Sequence, residues 1–254
     1  KILFEASKAC YKGIHFPSHN HWHHYRVWQY TKELIRAASP VKNFNYSEIT
    51  NLIIAAFFHD TGMSITIDES HGKESRLLCQ KFFKKHEIRL PANFDSALEA
   101  IEHHDNKNYP ESSNNKEISL KTILSIADDL DAFGYIGILR YAEIYLLRKI
   151  SINDLANKVV NNAERRYIHF KDNFKASPDL ISKHHKRVEI LIQFYKNLND
   201  KRVNRKLIEQ VNQNITETRP NNLTDLINGY EENNSYFPEF KNNVKKELAT
   251  LESE

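Results

Sequence analysis

Histidine and aspartate occur in this chain at positions where they could act together. The pair His59-Asp60 ends the longest uninterrupted apolar run, Leu52 to Phe58. An isolated charge in an apolar site shifts its pKa or unfolds the site, so something cationic should face Asp60. Upstream, His19, His21, His23 and His24 crowd one short stretch with Arg26 beside them. Downstream, Asp128, Asp129 and Asp131 interrupt an apolar helix; i,i+3 spacing puts Asp128 and Asp131 on one face and Asp129 off it. Two imidazoles and two carboxylates, from His23, His59, Asp60 and Asp128, make a mixed nitrogen and oxygen set. It suits Mn, Fe, Co, Ni, Zn or Mg and leaves positions open for water and substrate. Taken singly, each residue is ordinary: a histidine at a helix start, a helix end emerging into water, an acidic solvated face.

The elements that must position these groups are helices. With 6 Gly and 7 Pro in 254 residues, turns are few and the segments between them long, which disfavours a β-sandwich or barrel. The expected class is all-α, and 40% hydrophobic with 11% aromatic residues suffices for a sizeable core and excludes intrinsic disorder. Val27, Tyr30, Leu34 and Ala38 form the stripe of a helix from His19 to Ala38 that Ser39-Pro40 stops. A second helix, apolar on every face and therefore central, runs from Ser47 to a C′ glycine at Gly62. Further helices are expected from Gly72 to His86, Asn93 to His104, Leu120 to Leu130 and, after a bend at Gly134, Ile136 to Ile150, with a polar loop from Asp105 to Lys116. Past Ser151 the helices turn polar and basic, with breaks at Pro178 and Pro220 and an Asn-rich appendage beyond. The chain thus divides into a core, residues 1–150, and a basic helical extension with a C-terminal appendage packed on it, residues 151–254.

Composition narrows the function further. Cys10 and Cys79 cannot make a disulfide framework, no apolar run approaches the ~20 residues that span a bilayer, and no secretory leader is visible. A soluble, cytoplasmic protein without membrane association is expected. The formal charge is only +3, yet residues 158–206 hold 13 Lys and Arg against 5 Asp and Glu. That asymmetry suggests an anionic ligand, although most of these residues read as a solvated helical face. No nucleic-acid module is recognisable, which makes such a partner unexpected. Asp128, Asp129 and Asp131 spell DDxD, not the DDxxD of an aspartate-rich prenyl-diphosphate enzyme.

HNHWHHYRV (His19 to Val27), AAFFHDTG (Ala55 to Gly62) and IADDLDAFGYIGILR (Ile126 to Arg140) occur in that order. Together they resemble the H…HD…D signature of the HD superfamily of metal-dependent phosphohydrolases, the last block being similar to the ADxLDAxGxxGIxR motif of one bacterial branch. The resemblance covers about residues 15–145. It implies an all-α HD-domain bundle, metal ligands at His23, His59, Asp60 and Asp128, and one or two divalent ions per chain. It also implies further pocket or metal imidazoles at His71 and His104, and an orienting role for Asp131. Arg26, Lys73 and Arg140 are the expected contacts to substrate phosphate. The implied substrate is a small phosphoester, a nucleotide among the options; the alternative is a catalytically degenerate protein that binds a nucleotide or a protein partner. Met63 and Ser64 stand where the branch often carries a charged residue, leaving Asp68 or Glu69 as substitutes for proton handling. Asp68-Glu69 also inverts the ED pair of guanosine-tetraphosphate hydrolases, which argues against that substrate.

Overall fold

The computed structural model describes residues 1–106, 118–229 and 236–252. It is all-α, as expected, with no strand among the described residues. The helices are α1 (Ile2–Cys10), α2 (His21–Ala38), α3 (Tyr46–Phe58), α4 (His71–Lys85), α5 (Phe94–His103), α6 (Leu120–Asp131) and α7 (Gly134–Leu147). They continue as α8 (Ile152–Asn173), α9 (Pro178–Lys196), α10 (Arg202–Gln213), α11 (Leu223–Asn228) and α12 (Tyr236–Glu252). The expected loop from Asp105 to Lys116 lies, beyond residue 106, outside the described residues. Among the described residues no helix is long and apolar enough to cross a membrane.

Helix α3 occupies the centre, as its all-round apolarity requires. Leu52, Ile54, Ala55, Ala56, Phe57 and Phe58 are buried, and α2, α5 and α6 pack against it. Each large side chain so buried contributes ~1.5–3 kcal/mol. Its N-terminus carries a capping box: Asn45 accepts from the Glu48 N–H, and the Glu48 carboxylate accepts from the Asn45 N–H. Helix α2 starts two residues later than the stripe suggests, because Asn20 is its N-cap and accepts from the Trp22 N–H.

One expectation needs correction. Gly62 is not a C′ glycine: α3 ends at Phe58, and Gly62 lies in the 3-10 turn Thr61–Ser64. Its lack of a side chain serves close approach, since a Cβ there would meet the His71 carbonyl oxygen at 2.0 Å and the Ser75 nitrogen at 2.6 Å. Beyond Pro220 the chain forms α11 and α12. Helix α12 buries Phe237, Phe240, Val244 and Leu248 and packs against α7 and α2.

Candidate metal centre

Five helix ends converge on one point. Asn20 starts α2 so that His23 lies in its first turn; His59 and Asp60 follow the last residue of α3; His71 opens α4; His104 follows α5; Asp128 and Asp131 occupy the last turn of α6. Gly72 brings α4 against the end of α5, where a Cβ would lie 2.4 Å from the Glu102 carbonyl oxygen. All seven residues are buried, with exposures of 5% or less.

The second nitrogen of each imidazole has a hydrogen-bond partner. His59 Nδ1 meets the Ala56 carbonyl at 3.0 Å, His71 Nδ1 that of Asp68 at 2.7 Å and His104 Nδ1 that of Ile101 at 2.7 Å, in each case three residues back. His23 Nδ1 meets Asp131 Oδ2 at 2.8 Å. A carbonyl only accepts, so Nδ1–H is the donor in His59, His71 and His104 and the neutral form of each ring presents its Nε2 lone pair to the centre; His23 Nδ1 lies between Asp131 and an Arg140 N–H, with its Nε2 likewise facing the centre. There His23 Nε2 faces His59 Nε2 at 3.0 Å, and His71 Nε2 faces His104 Nε2 at 3.4 Å. Facing lone pairs repel unless a cation lies between them.

The donors form two groups that share Asp60: His23, His59, Asp60 and Asp128, and Asp60, His71 and His104. Asp60 Oδ2 is 3.2 Å from His23 Nε2 and 3.6 Å from His59 Nε2, whereas Oδ1 is 2.9 Å from His104 Nε2 and 3.3 Å from His71 Nε2. Separations of ~3.0–3.6 Å are those of neighbouring ligands about 2.1 Å from a common ion, so the residues fit a divalent metal. The side chains that face Asp60 are therefore this ring of imidazoles and not a lysine or arginine. Burial opposes ionisation of Asp60, but the surrounding imidazoles outweigh it and hold the carboxyl well below the usual range. Burial also pushes His59 down to about 3, which keeps its ring neutral, the form that ligates.

Behind the ligands lies a buried ion network. Arg26 donates Nε to Asp131 Oδ1 at 2.8 Å and a second N–H to Oδ2 at 3.1 Å, and it also reaches Glu252 at the end of α12 at 3.1 Å. Arg140 bonds Asp131 at 3.0 Å and Asp128 at 3.1 Å. Burial raises the Asp131 pKa, yet Arg26 and Arg140 prevail and hold it well below the usual range.

In front is a cavity of about 510 Å³ lined by Asp60, His71, His104 and Asp128, with Met63 and Glu69 in its wall. Of the three cations expected at phosphate, only Arg140 lines it. Arg26 is 1% exposed and spent on Asp131 and Glu252; Lys73 is exposed on α4 and is not among the lining residues. Asp129 does lie outside both donor groups, but it is fully buried and ion-paired with Arg166 at 2.8 Å. Arg166 meets Asp128 at 3.8 Å and Asp105 at 4.0 Å as well. Sequence reasoning also missed Arg148, Tyr141 and Tyr145 in the lining. The basic excess of residues 158–206 was the one signal that touched this wall.

The HD-CE family model matches residues 14–229. The chain belongs to the HD-CE family. The matched span begins ahead of His23 and runs past residue 150, where the composition changes, so it takes in the α8 arginines together with every donor named above. No curated protein and no solved structure matches the chain. Membership establishes an HD-type domain, and the buried His and Asp groups are able to hold metal.

Proposed function

We propose that this HD-CE protein is a metal-dependent phosphohydrolase that uses a metal pair to cleave the phosphoester of a small phosphorylated metabolite. The observation that carries the reading is the facing of Nε2 atoms across two donor groups hinged on the single carboxylate of Asp60. Divalent ions bound there lower the pKa of a coordinated water and neutralise phosphoryl oxygens. His23, His59, Asp60 and Asp128 would hold one ion; Asp60, His71 and His104 would hold the other. Asp131 holds His23 at Nδ1 and so orients the ring with Nε2 toward the centre. Arg140, anchored on Asp128 and Asp131, presents positive charge at the cavity wall to a phosphate. Glu69 is the carboxylate at the cavity mouth able to hand a proton to the leaving oxygen, a role Met63 cannot fill.

Manganese titration with elemental analysis tests the arrangement. Wild-type protein should bind two ions per chain, His104→Ala one, and Asp60→Ala none. Phosphate release from a panel of phosphomonoesters, cyclic dinucleotides and nucleotides should track the two-ion form and stop on chelation. A fully loaded protein that binds a nucleotide but turns over none of the panel favours the non-catalytic alternative, to which the burial of Met63 in the cavity wall lends support. Full occupancy in Asp60→Ala would sink the assignment.

A further inference from the structure

The wall of the cavity formed by α7 and α8 has features that the hydrolytic centre does not explain. Tyr141 is 3% exposed, and its hydroxyl has no hydrogen-bond partner among the described residues although it lines the cavity. A buried hydroxyl without a partner costs ~1–3 kcal/mol, so it marks a place where a ligand atom belongs. The groups around it are held in place. Arg166 lies over the Tyr141 ring at 5.7 Å, is paired with Asp129, and donates Nε to Asn162 Oδ1 at 2.9 Å. Asn162 in turn donates to the Tyr145 hydroxyl at 3.0 Å, leaving that hydroxyl's own proton to point onward. Arg148 is fixed through Nε on the Ile67 carbonyl at 2.8 Å, with its two terminal nitrogens uncommitted among the described residues. Arg165, exposed at the rim, has no ion pair among the described residues.

Charge in the wall points the same way. Arg140 and Arg166 are neutralised by Asp131 and Asp129 behind them, whereas Arg148 and Arg165 have no ion pair among the described residues.

We propose that Tyr141, Arg148 and Arg165 form a second anion subsite, and that the substrate is a bisphosphorylated small molecule whose second phosphate docks there while the scissile one meets the metal pair. The subsite rests on the metal-pair reading above and deepens it by naming the substrate class. Planar arginine forks and a phenolic donor match the acceptor oxygens of a phosphate. Tyr145 and Ile144 beside them offer an apolar surface for the organic part.

The test uses probes with carbon–phosphorus bonds that cannot be hydrolysed: alkylphosphonates and α,ω-alkane bisphosphonates of increasing chain length, titrated calorimetrically into manganese-loaded protein. At its best length the bisphosphonate should bind wild-type protein about tenfold more tightly than its one-headed counterpart. Arg165→Ala and Tyr141→Phe should reduce that preference to the roughly twofold advantage that two equivalent ends give, without changing manganese stoichiometry. Lys158→Ala, an exposed cation on the same helix outside the cavity lining, should keep the tenfold preference. A loaded wild-type protein that prefers no bisphosphonate beyond twofold, or an Arg165→Ala protein that retains the preference, overturns the subsite and leaves the metal pair standing. A protein that takes up no manganese overturns both.

Discussion

Each of the four central histidines is aimed by the atom behind it. For His59, His71 and His104 that atom is a backbone carbonyl, so no substitution can remove it; for His23 it is Asp131, which can be changed. Asp131→Asn should therefore weaken manganese binding about 10- to 100-fold, as loss of an outer partner does at other metal sites. It should also lower stability by ~3 kcal/mol, because Arg26 and Arg140 would be left buried beside a neutral amide. Unchanged manganese affinity in a folded variant would show that His23 is oriented by something else. The donor residues were legible in the sequence because imidazoles and carboxylates beside apolar runs are rare, and their order added the rest. Of the expected phosphate cations only Arg140 was. A sequence shows that Arg26 and Lys73 carry charge but not which carboxylate claims it, and Asp131 with Glu252 claims Arg26 from 105 and 226 residues away.

At the scale of elements, the periodicity that marks helices was readable almost throughout, whereas their ends, where the chemistry lies, were set by contacts between segments. Gly62 shows the difference. Beside His59-Asp60 it reads as a helix stop, yet its space is filled by the first turn of α4. Gly62→Ala would drive a methyl group into the His71 carbonyl and the Ser75 nitrogen, both main-chain atoms that cannot swing aside. The variant should be destabilised by at least ~1–3 kcal/mol. It should also lose the ion held by Asp60, His71 and His104 before the other, because α4 must retreat and carry His71 with it. Calorimetric melting together with metal stoichiometry reads both effects; a variant with wild-type melting and two ions per chain would refute the account. Helix α8 hid its contribution for a related reason. Its Arg165 and Arg166 sit in a basic, polar stretch with nothing local to separate a cavity wall from a solvated face, and only packing of α8 on α6 separates them.

Across the whole molecule, residues beyond 150 are tied to the earlier helices by charge as well as by packing. Glu33 on α2 is met by Lys183 at 2.5 Å and His184 at 3.3 Å from α9. Burial raises the Glu33 pKa, but His184 and Lys183 outweigh it and bring it from 4.5 down to about 2. A depressed carboxylate contributes stability that is complete above its unfolded value and is lost as pH falls toward the folded one. The melting difference between wild type and Glu33→Gln, about 1 kcal/mol after allowance for solvent screening at a partly exposed site, should thus hold above pH 4.5 and shrink between pH 4.5 and 2. A difference that stays constant across that window would contradict the pairing. The buried network around Arg26 has a consequence for how the chain reaches this structure. His23 and His59 are 36 residues apart, but His23 meets Asp131 across 108 and Arg26 meets Glu252 across 226. Closing the longest of these loops costs about 1.6 kcal/mol more entropy than closing the shortest. The α2–α3 contact should therefore form early, and the network that orients His23 only once the distant ends of the chain have been gathered.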